Sequence, residues 1–263
     1  MKKTIAGLIS LFYLTQLVAI IFAIAITVPG EQGVRHPRVE YFEDGEDLQS
    51  SLYVYAFLLG GAAFLALGMR LHLGRIIFRN LETLIVFLTS FLLLASLYPE
   101  HMLLDLVPAV ALAAVKRRVS HWLLSVGVSV FTAAVVGAIM GVSLGLVPVI
   151  ALMAFLSVYD IVAVFFSSHM MNVVRNVRGT GSSFLIEIPG LRSAVGISDL
   201  AVPAMFVASC FSRSSYVQSL VVATGAALGL SWAIASSNKR GLMPALPFIF
   251  AGSLAAYGVT LAL

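Results

Sequence analysis

Nine apolar runs divide the chain, and they constrain its fold more than any other feature of the sequence. A helix needs about 20 apolar residues to cross the hydrocarbon core of a bilayer, and most of the runs approach or exceed that length. Of the 263 residues, 60% are hydrophobic and 11% are charged, too apolar for a soluble domain. The predicted segments lie near 4–29, 52–69, 82–98, 102–115, 121–142, 145–168, 194–211, 216–236 and 243–263. We therefore predict an all-α integral membrane protein, a bundle of nine transmembrane helices.

The distribution of basic residues predicts how this bundle lies in the membrane. If the N-terminus is inside, 13 of the 16 Lys and Arg residues lie on the inner side, and only Arg35, Arg38 and Arg213 lie outside. Positive charge concentrates in cytoplasmic loops, so we predict a cytoplasmic N-terminus and an outer C-terminus. The first segment is longer than the apolar part of a signal peptide, and we predict that it remains in the cell membrane as an anchor.

The sequence carries no motif for metal or nucleotide chemistry. It contains no HExxH, CxxC or Walker sequence, and its five histidines are scattered singly. Cys210 is the only cysteine, so no internal disulfide can form. We predict no metal and no other cofactor. The net charge of +4 is explained by the cytoplasmic loops, and we predict no binding to nucleic acid.

Two acidic residues, Asp160 and Asp199, interrupt apolar segments six and seven. An ionised carboxyl group at mid-bilayer costs roughly 2.5–3.5 kcal/mol on insertion scales, so each is a candidate functional residue. At 1.5 Å per residue, Asp160 and Asp199 lie roughly 12 and 8 Å from the inner surface, and the two segments are consecutive and antiparallel. The carboxyl groups can therefore meet at one level.

Two carboxyl groups in contact share one proton, because both cannot ionise easily. The ionised group can then take a proton from water while the protonated group donates to a carbonyl oxygen. Such a pair can hydrolyse a peptide bond without a metal or a covalent intermediate. A proton relay in a carrier uses the same residues, and an isolated Asp often has a structural role beside a Ser or Tyr, here Ser198 and Tyr159. The Asp pair alone leaves these three interpretations open.

The third element is the sequence Pro244-Ala245-Leu246-Pro247, which follows two basic residues. Two prolines at this spacing do not both fit a helix interior, whereas a first turn accepts them because its amides have no helical partner. We predict that the last helix begins near Pro244 on the inner side, at the level of the two aspartates. A plain proline helix start is the alternative interpretation.

Together, the three elements resemble the presenilin and signal peptide peptidase family of intramembrane aspartyl proteases, most closely a microbial presenilin homologue. Tyr159-Asp160 resembles the family's YD motif, and Pro244 to Pro247 resembles its PAL motif. Gly196-Ile-Ser198-Asp199 stands where the family has Gly-x-Gly-Asp. The resemblance covers the whole chain. Ser198 replaces the second glycine of the family motif, and we expect it to alter substrate preference or activity.

The resemblance implies a role for each of these residues. Asp160 and Asp199 would be the catalytic pair, and Tyr159, Gly196 and Ser198 would shape the site beside them. Pro244, Ala245 and Leu246 would hold the substrate, a transmembrane protein or peptide whose N-terminus is outside. The family unwinds its substrate, and the β-like composition of residues 184–188 suggests a strand that pairs with the extended substrate.

The same resemblance divides the chain into three parts. Residues 1–168 would hold helices one to six, residues 169–193 a cytoplasmic loop, and residues 194–263 helices seven to nine. The protein would act alone or as a homo-oligomer.

Three other functions remain as alternatives. A proton-coupled carrier would use the Asp pair as a relay, but the sequence has no inverted repeat. A prepilin peptidase also uses a Gly-x-Gly-Asp aspartate, but the nine segments and the proline element oppose this interpretation. An inactive scaffold homologue is favoured only by Ser198.

Overall fold

The computed structural model of the chain is mostly helical. It describes residues 2–30, 35–39, 47, 49, 52–54, 56, 60, 74–98, 100, 102–119, 121–166, 185–187, 194–240 and 243–262. The helices are α1 Lys2–Ile26, α2 Gly74–Leu97, α3 Met102–Arg118, α4 Trp122–Ser143, α5 Leu146–Phe166, α6 Ile197–Arg213, α7 Tyr216–Arg240 and α8 Leu246–Ala262. Two antiparallel hairpins join β1 Thr27–Pro29 to β2 Arg35–Pro37 and β3 Leu185–Glu187 to β4 Ala194–Gly196.

These helices overlap eight of the nine predicted segments, and segments six, seven and nine are α5, α6 and α8. The predicted second segment, 52–69, lies almost wholly outside the described residues, as does most of the loop 169–193. Within the described residues, five helices are long and apolar enough to cross a membrane: Ile5–Ile26, Arg79–Leu97, Trp122–Ser143, Leu146–Phe165 and Tyr216–Ser236. The prediction of a helical membrane protein with several spans is confirmed.

Helix α6 lies at the centre of the bundle. It packs against α1, α4, α5, α7 and α8, and nearly all its residues from Leu200 onward are buried. Gly137 and Gly141 of α4 face its backbone so closely that a methyl group on either glycine would overlap Ala204 or Met205. Small residues thus let α4 approach the central helix and hold it in place.

A second close contact fixes the position of α8. Gly225 and Gly229 of α7 face Gly252 and the backbone of Phe248 on α8, and an added methyl group would overlap the facing backbone. Because Gly225, Gly229 and Gly252 have no side chains, the backbones of α7 and α8 are in direct contact at these positions. The packing against α7 therefore fixes where α8 lies in the bundle.

The hairpin of β3 and β4 leads into α6. Ile186 pairs with Val195, and both side chains are buried against Leu8 and Phe12 of α1. The strand at 185–187 confirms the β-like prediction for this segment. The seventh segment was predicted to begin near 194. Residues Ala194–Gly196 form β4, because Val195 pairs with Ile186, and α6 begins at Ile197.

The hairpin of β1 and β2 lies at the other end of the bundle. The Arg35 guanidinium lies 4.7 Å from the centre of the Phe211 ring, near the C-terminal end of α6. Arg38 donates from its backbone to Ile26 and from its side chain to the carbonyl of Leu97, at 2.9 and 3.3 Å. These contacts hold the C-terminal ends of α1, α2 and α6 together, at the end opposite to Asp199.

Candidate active site

Asp160 lies near the C-terminal end of α5 and contacts the start of α8. The backbone N–H of Leu246 donates a hydrogen bond of 3.1 Å to its Oδ2, and the backbone N–H of Ala245 also interacts with the carboxyl group. The first helical bond of α8 runs from Ile249 to the carbonyl of Ala245, so Leu246 is the first residue of the helix. Its N–H has no acceptor within the helix, and the carboxyl group of α5 supplies one.

The proline element has a different geometry from the one predicted. The helix begins at Leu246 rather than near Pro244, so only Pro247 lies in the first turn, while Pro244 is buried in the segment before it. Pro247 occupies a position whose amide would have no helical partner, so its missing N–H costs nothing. The element therefore leaves the N–H of Leu246 free for Asp160.

Asp199 is the third residue of α6 and caps the helix that carries it. Its Oδ2 accepts a hydrogen bond of 3.3 Å from the backbone N–H of Gly196, which has an extended backbone at φ −70° and ψ 150°. A carboxyl group at this position satisfies an amide that the helix leaves unpaired. The turn from β4 into α6 thus fixes the position of Asp199.

The structure brings the two aspartates together. Asp160 interacts electrostatically with Asp199, both are partly buried, and α5, α6 and α8 pack against one another. Each carboxyl group contacts backbone N–H groups at a helix N-terminus, where the helix dipole favours negative charge. Two such termini can stabilise one negative charge on the pair, which is the state needed for acid and base catalysis.

The remaining predicted residues lie around this pair. A methyl group on Gly196 would lie 3.4 Å from the Ser198 hydroxyl and 3.6 Å from Asp199 Oδ2, so these residues share one small region. The Ser198 side chain is exposed there. Tyr159 is 40% exposed on α5, and among the described residues its hydroxyl makes no polar contact with either aspartate.

The sequence analysis missed a buried amide that reaches this region. Gln16 of α1 donates a hydrogen bond of 3.3 Å to the carbonyl of Leu200, the residue after Asp199. The signal that marks this residue in the sequence is a single amide in an apolar run. Within the part of the chain that the structure describes, no three His, Cys, Asp or Glu residues lie together as metal ligands would.

Comparison with known families identifies the chain. A family model described as signal-peptide peptidase, presenilin aspartyl protease matches residues 9–192, which is more than half of the sequence. The chain belongs to this family of aspartyl proteases. The family match confirms the resemblance based on the three motifs, and it identifies the protein as an aspartic endopeptidase that cleaves membrane proteins within the bilayer.

Solved structures of the family have the same fold. A structure described as a presenilin family intramembrane aspartate protease is 20% identical, covers 98% of each chain and has a TM-score of 0.72. A second structure with this description, in another crystal form, is 23% identical and has a TM-score of 0.65, covering 95% of this chain and 96% of the other. A comparison with curated protein sequences gives no match. The residues matched by the family model include Asp160 and end before Asp199 and the proline element.

Proposed function

We propose that Asp160 and Asp199 are the catalytic pair of this intramembrane protease. The observation that carries the proposal is the electrostatic interaction between these two carboxyl groups, together with the hydrogen bond from Leu246 at the start of α8 to Asp160. Acidic side chains are costly in an apolar bundle, and these two come from different helices to one place. Peptide hydrolysis by a general acid and a general base requires such a pair of carboxyl groups.

The reaction needs one ionised and one protonated carboxyl group. The ionised carboxylate takes a proton from water, whose oxygen bonds to the carbonyl carbon of the substrate, while the protonated group gives its proton to the carbonyl oxygen. When the intermediate collapses, the C–N bond breaks and the amine leaves with the proton that the first group took. The second group recovers its proton from the intermediate's hydroxyl. One water molecule is consumed, and both carboxyl groups return to their starting protonation states.

We expect the substrate to bind as an extended strand beside β3 and β4. A helix shields its own amide bonds, whereas an extended segment exposes them but must be paired inside the membrane. The β3–β4 hairpin runs directly into Gly196 and Asp199, so a strand added to it would pass the carboxyl pair. Hydrogen exchange at Leu185–Glu187 tests this arrangement: a bound substrate should protect these amides, and unchanged exchange would exclude strand pairing.

The proposed membrane arrangement has nine spans, a cytoplasmic N-terminus and an outer C-terminus, in the cell membrane. It is supported by Arg35 and Arg213, which lie at one end of α6 while Asp199 lies at the other. Substrates would then have their N-termini on the outer side. Helices one to six would precede the loop 169–193, and helices seven to nine would follow it.

Maleimide labelling of intact cells tests this orientation: Ser215→Cys should react with an impermeant reagent, and His121→Cys should not. The reverse pattern would invert the orientation.

The catalytic roles are tested with protein reconstituted in lipid and a labelled single-pass substrate. Asp160→Asn and Asp199→Asn keep the shape of each side chain and remove its ionisable proton, so both should abolish cleavage. Asp105→Asn is the matched control, since Asp105 is a buried acid on α3. If either active-site variant still cuts, the shared-proton mechanism is wrong. If the wild type never cuts, a carrier or an inactive scaffold becomes the better interpretation.

Analytical ultracentrifugation of the same preparation distinguishes a monomer from a homo-oligomer.

A further inference from the structure

Gln16 is a fully buried polar residue in the apolar helix α1, with an exposed fraction of 0%. Burying an amide in apolar surroundings costs free energy unless it forms hydrogen bonds. Its Nε2 donates to the carbonyl of Leu200, and its Oε1 has no protein partner in the described part of the chain. The bond to Leu200 is therefore the specific interaction of this side chain.

This bond connects α1 to the first turn of α6, at a residue 184 positions away in the sequence. Leu200 follows Asp199 directly, so the contact lies one residue from the proposed catalytic carboxyl group. Gln16 holds the backbone at this point and leaves the Asp199 side chain free to face Asp160. Gln16 therefore supports the backbone of this turn without occupying the space of the carboxyl group.

Pro203 explains why the first turn of α6 needs such support. Proline has no N–H, so it cannot donate to the carbonyl four residues earlier, which belongs to Asp199. Its ring also crowds that carbonyl, and prolines inside helices loosen or kink them at this point. The turn that carries Asp199 thus lacks one helical hydrogen bond, and Gln16 supplies a bond from another helix to the next carbonyl.

We propose that Gln16 is a positioning residue for Asp199, which it keeps level with Asp160 by holding the Leu200 carbonyl. The inference rests on the proposed catalytic role of Asp199. Gln16 touches neither carboxyl group, so its effect is on the rate of the chemical step. Misplacing a catalytic group by about 1 Å costs on the order of 100-fold in rate.

The test compares Gln16→Met with Thr15→Val in the full-length protein in lipid. Methionine keeps the size of the side chain and removes the donor. Thr15 is the neighbouring buried polar residue, and its hydroxyl bonds only within α1, to the carbonyl of Leu11. We expect Gln16→Met to lower kcat by about tenfold or more, with KM changed less than about twofold. Thr15→Val should keep kcat within about twofold.

A rescue variant distinguishes positioning from general damage. Pro203→Ala restores the N–H that can donate to the Asp199 carbonyl, so adding it to Gln16→Met should recover a large part of the lost kcat. Gln16→Met should also speed hydrogen exchange of the amides at 197–202 relative to Thr15→Val.

The proposal is overturned if Gln16→Met matches Thr15→Val in kcat and in exchange, or if kcat falls while exchange of these amides is unchanged. It is also overturned if Pro203→Ala restores nothing. An inactive wild type would instead refute the proposed function, and the exchange comparison would still decide whether Gln16 braces the turn.

Discussion

The backbone N–H of Leu246 donates a hydrogen bond of 3.1 Å to Oδ2 of Asp160, across 86 positions of sequence. This bond ties the start of α8 to α5 and directs the positive end of a helix dipole at a carboxyl group. Pro247 helps by occupying a position where a donor would have no helical partner. The proline element therefore starts helix α8 and also forms part of the electrostatic environment of the aspartates.

Leu246→Pro removes this donor while keeping a residue suited to the first position of a helix. Hydrogen bonds to charged groups contribute about 1.5–3 kcal/mol, so we expect the cleavage rate to fall by about 10- to 100-fold. The measurement is kcat with a labelled transmembrane substrate in lipid.

The control for this change is Leu246→Ala, because the Leu246 side chain is buried and both variants remove it. Alanine keeps the N–H, so its kcat should stay well above that of the proline variant. Equal rates for the two variants would show that the hydrogen bond has no part in catalysis.

The contact between α7 and α8 predicts that Gly229 controls activity from a distance. Alanine at this position would overlap the backbone of Phe248 and Ile249, and α8 would have to shift, together with its N-terminal amides. Overpacking of this kind typically costs about 1–3 kcal/mol. We expect Gly229→Ala to lower both the thermal unfolding midpoint in detergent and the cleavage rate.

Gly258→Ala provides the comparison on α8 itself. Among the described residues, no atom beyond the neighbouring backbone of its own helix lies within 4 Å of the place where its methyl group would stand, so stability and activity should be retained. If both alanine variants behave alike, the close contact at Gly229 does not position α8.

The pairing of Asp160 with Asp199 is the part of the site that the sequence predicts best. A carboxyl group in an apolar run is costly and therefore conspicuous, and consecutive antiparallel helices fix its depth. Their electrostatic interaction agrees with that prediction. The second predicted segment, 52–69, remains a prediction.

Other features depend on packing that no local pattern reveals. Whether the donor to Asp160 is Leu246 or another amide depends on where α8 lies against α5, and the contact of α8 with Gly225 and Gly229 helps to fix that position. The late start of α6 depends on the pairing of Val195 with Ile186 across a loop. Gln16 was missed because an uncharged amide costs less in an apolar helix and stands out less.

Ser198, which replaces the family glycine, is exposed beside Gly196 and Asp199. Since its side chain is exposed, Ser198→Gly should change stability by less than about 1 kcal/mol. Removing the hydroxymethyl group enlarges the space next to the carboxyl pair. We expect kcat/KM to rise for substrates with large side chains at the cleaved bond relative to small ones. Measuring kcat/KM for two such substrates tests this, and an unchanged ratio would show that Ser198 does not contact the substrate.

The ion pair between Lys116 and Glu82 joins α3 to α2. Nζ and Oε1 are 3.0 Å apart, and the side chains are 6% and 12% exposed. Removing one partner of a largely buried ion pair typically costs about 3–5 kcal/mol, whereas replacing both partners by neutral groups is often close to neutral. Lys116→Met should therefore destabilise the protein more than the double variant Lys116→Met with Glu82→Gln. Thermal unfolding in detergent measures the difference. A double variant less stable than Lys116→Met would mean that the other interactions of Glu82 stabilise the protein more than its pairing with Lys116, and that the pair is not the main link between these helices.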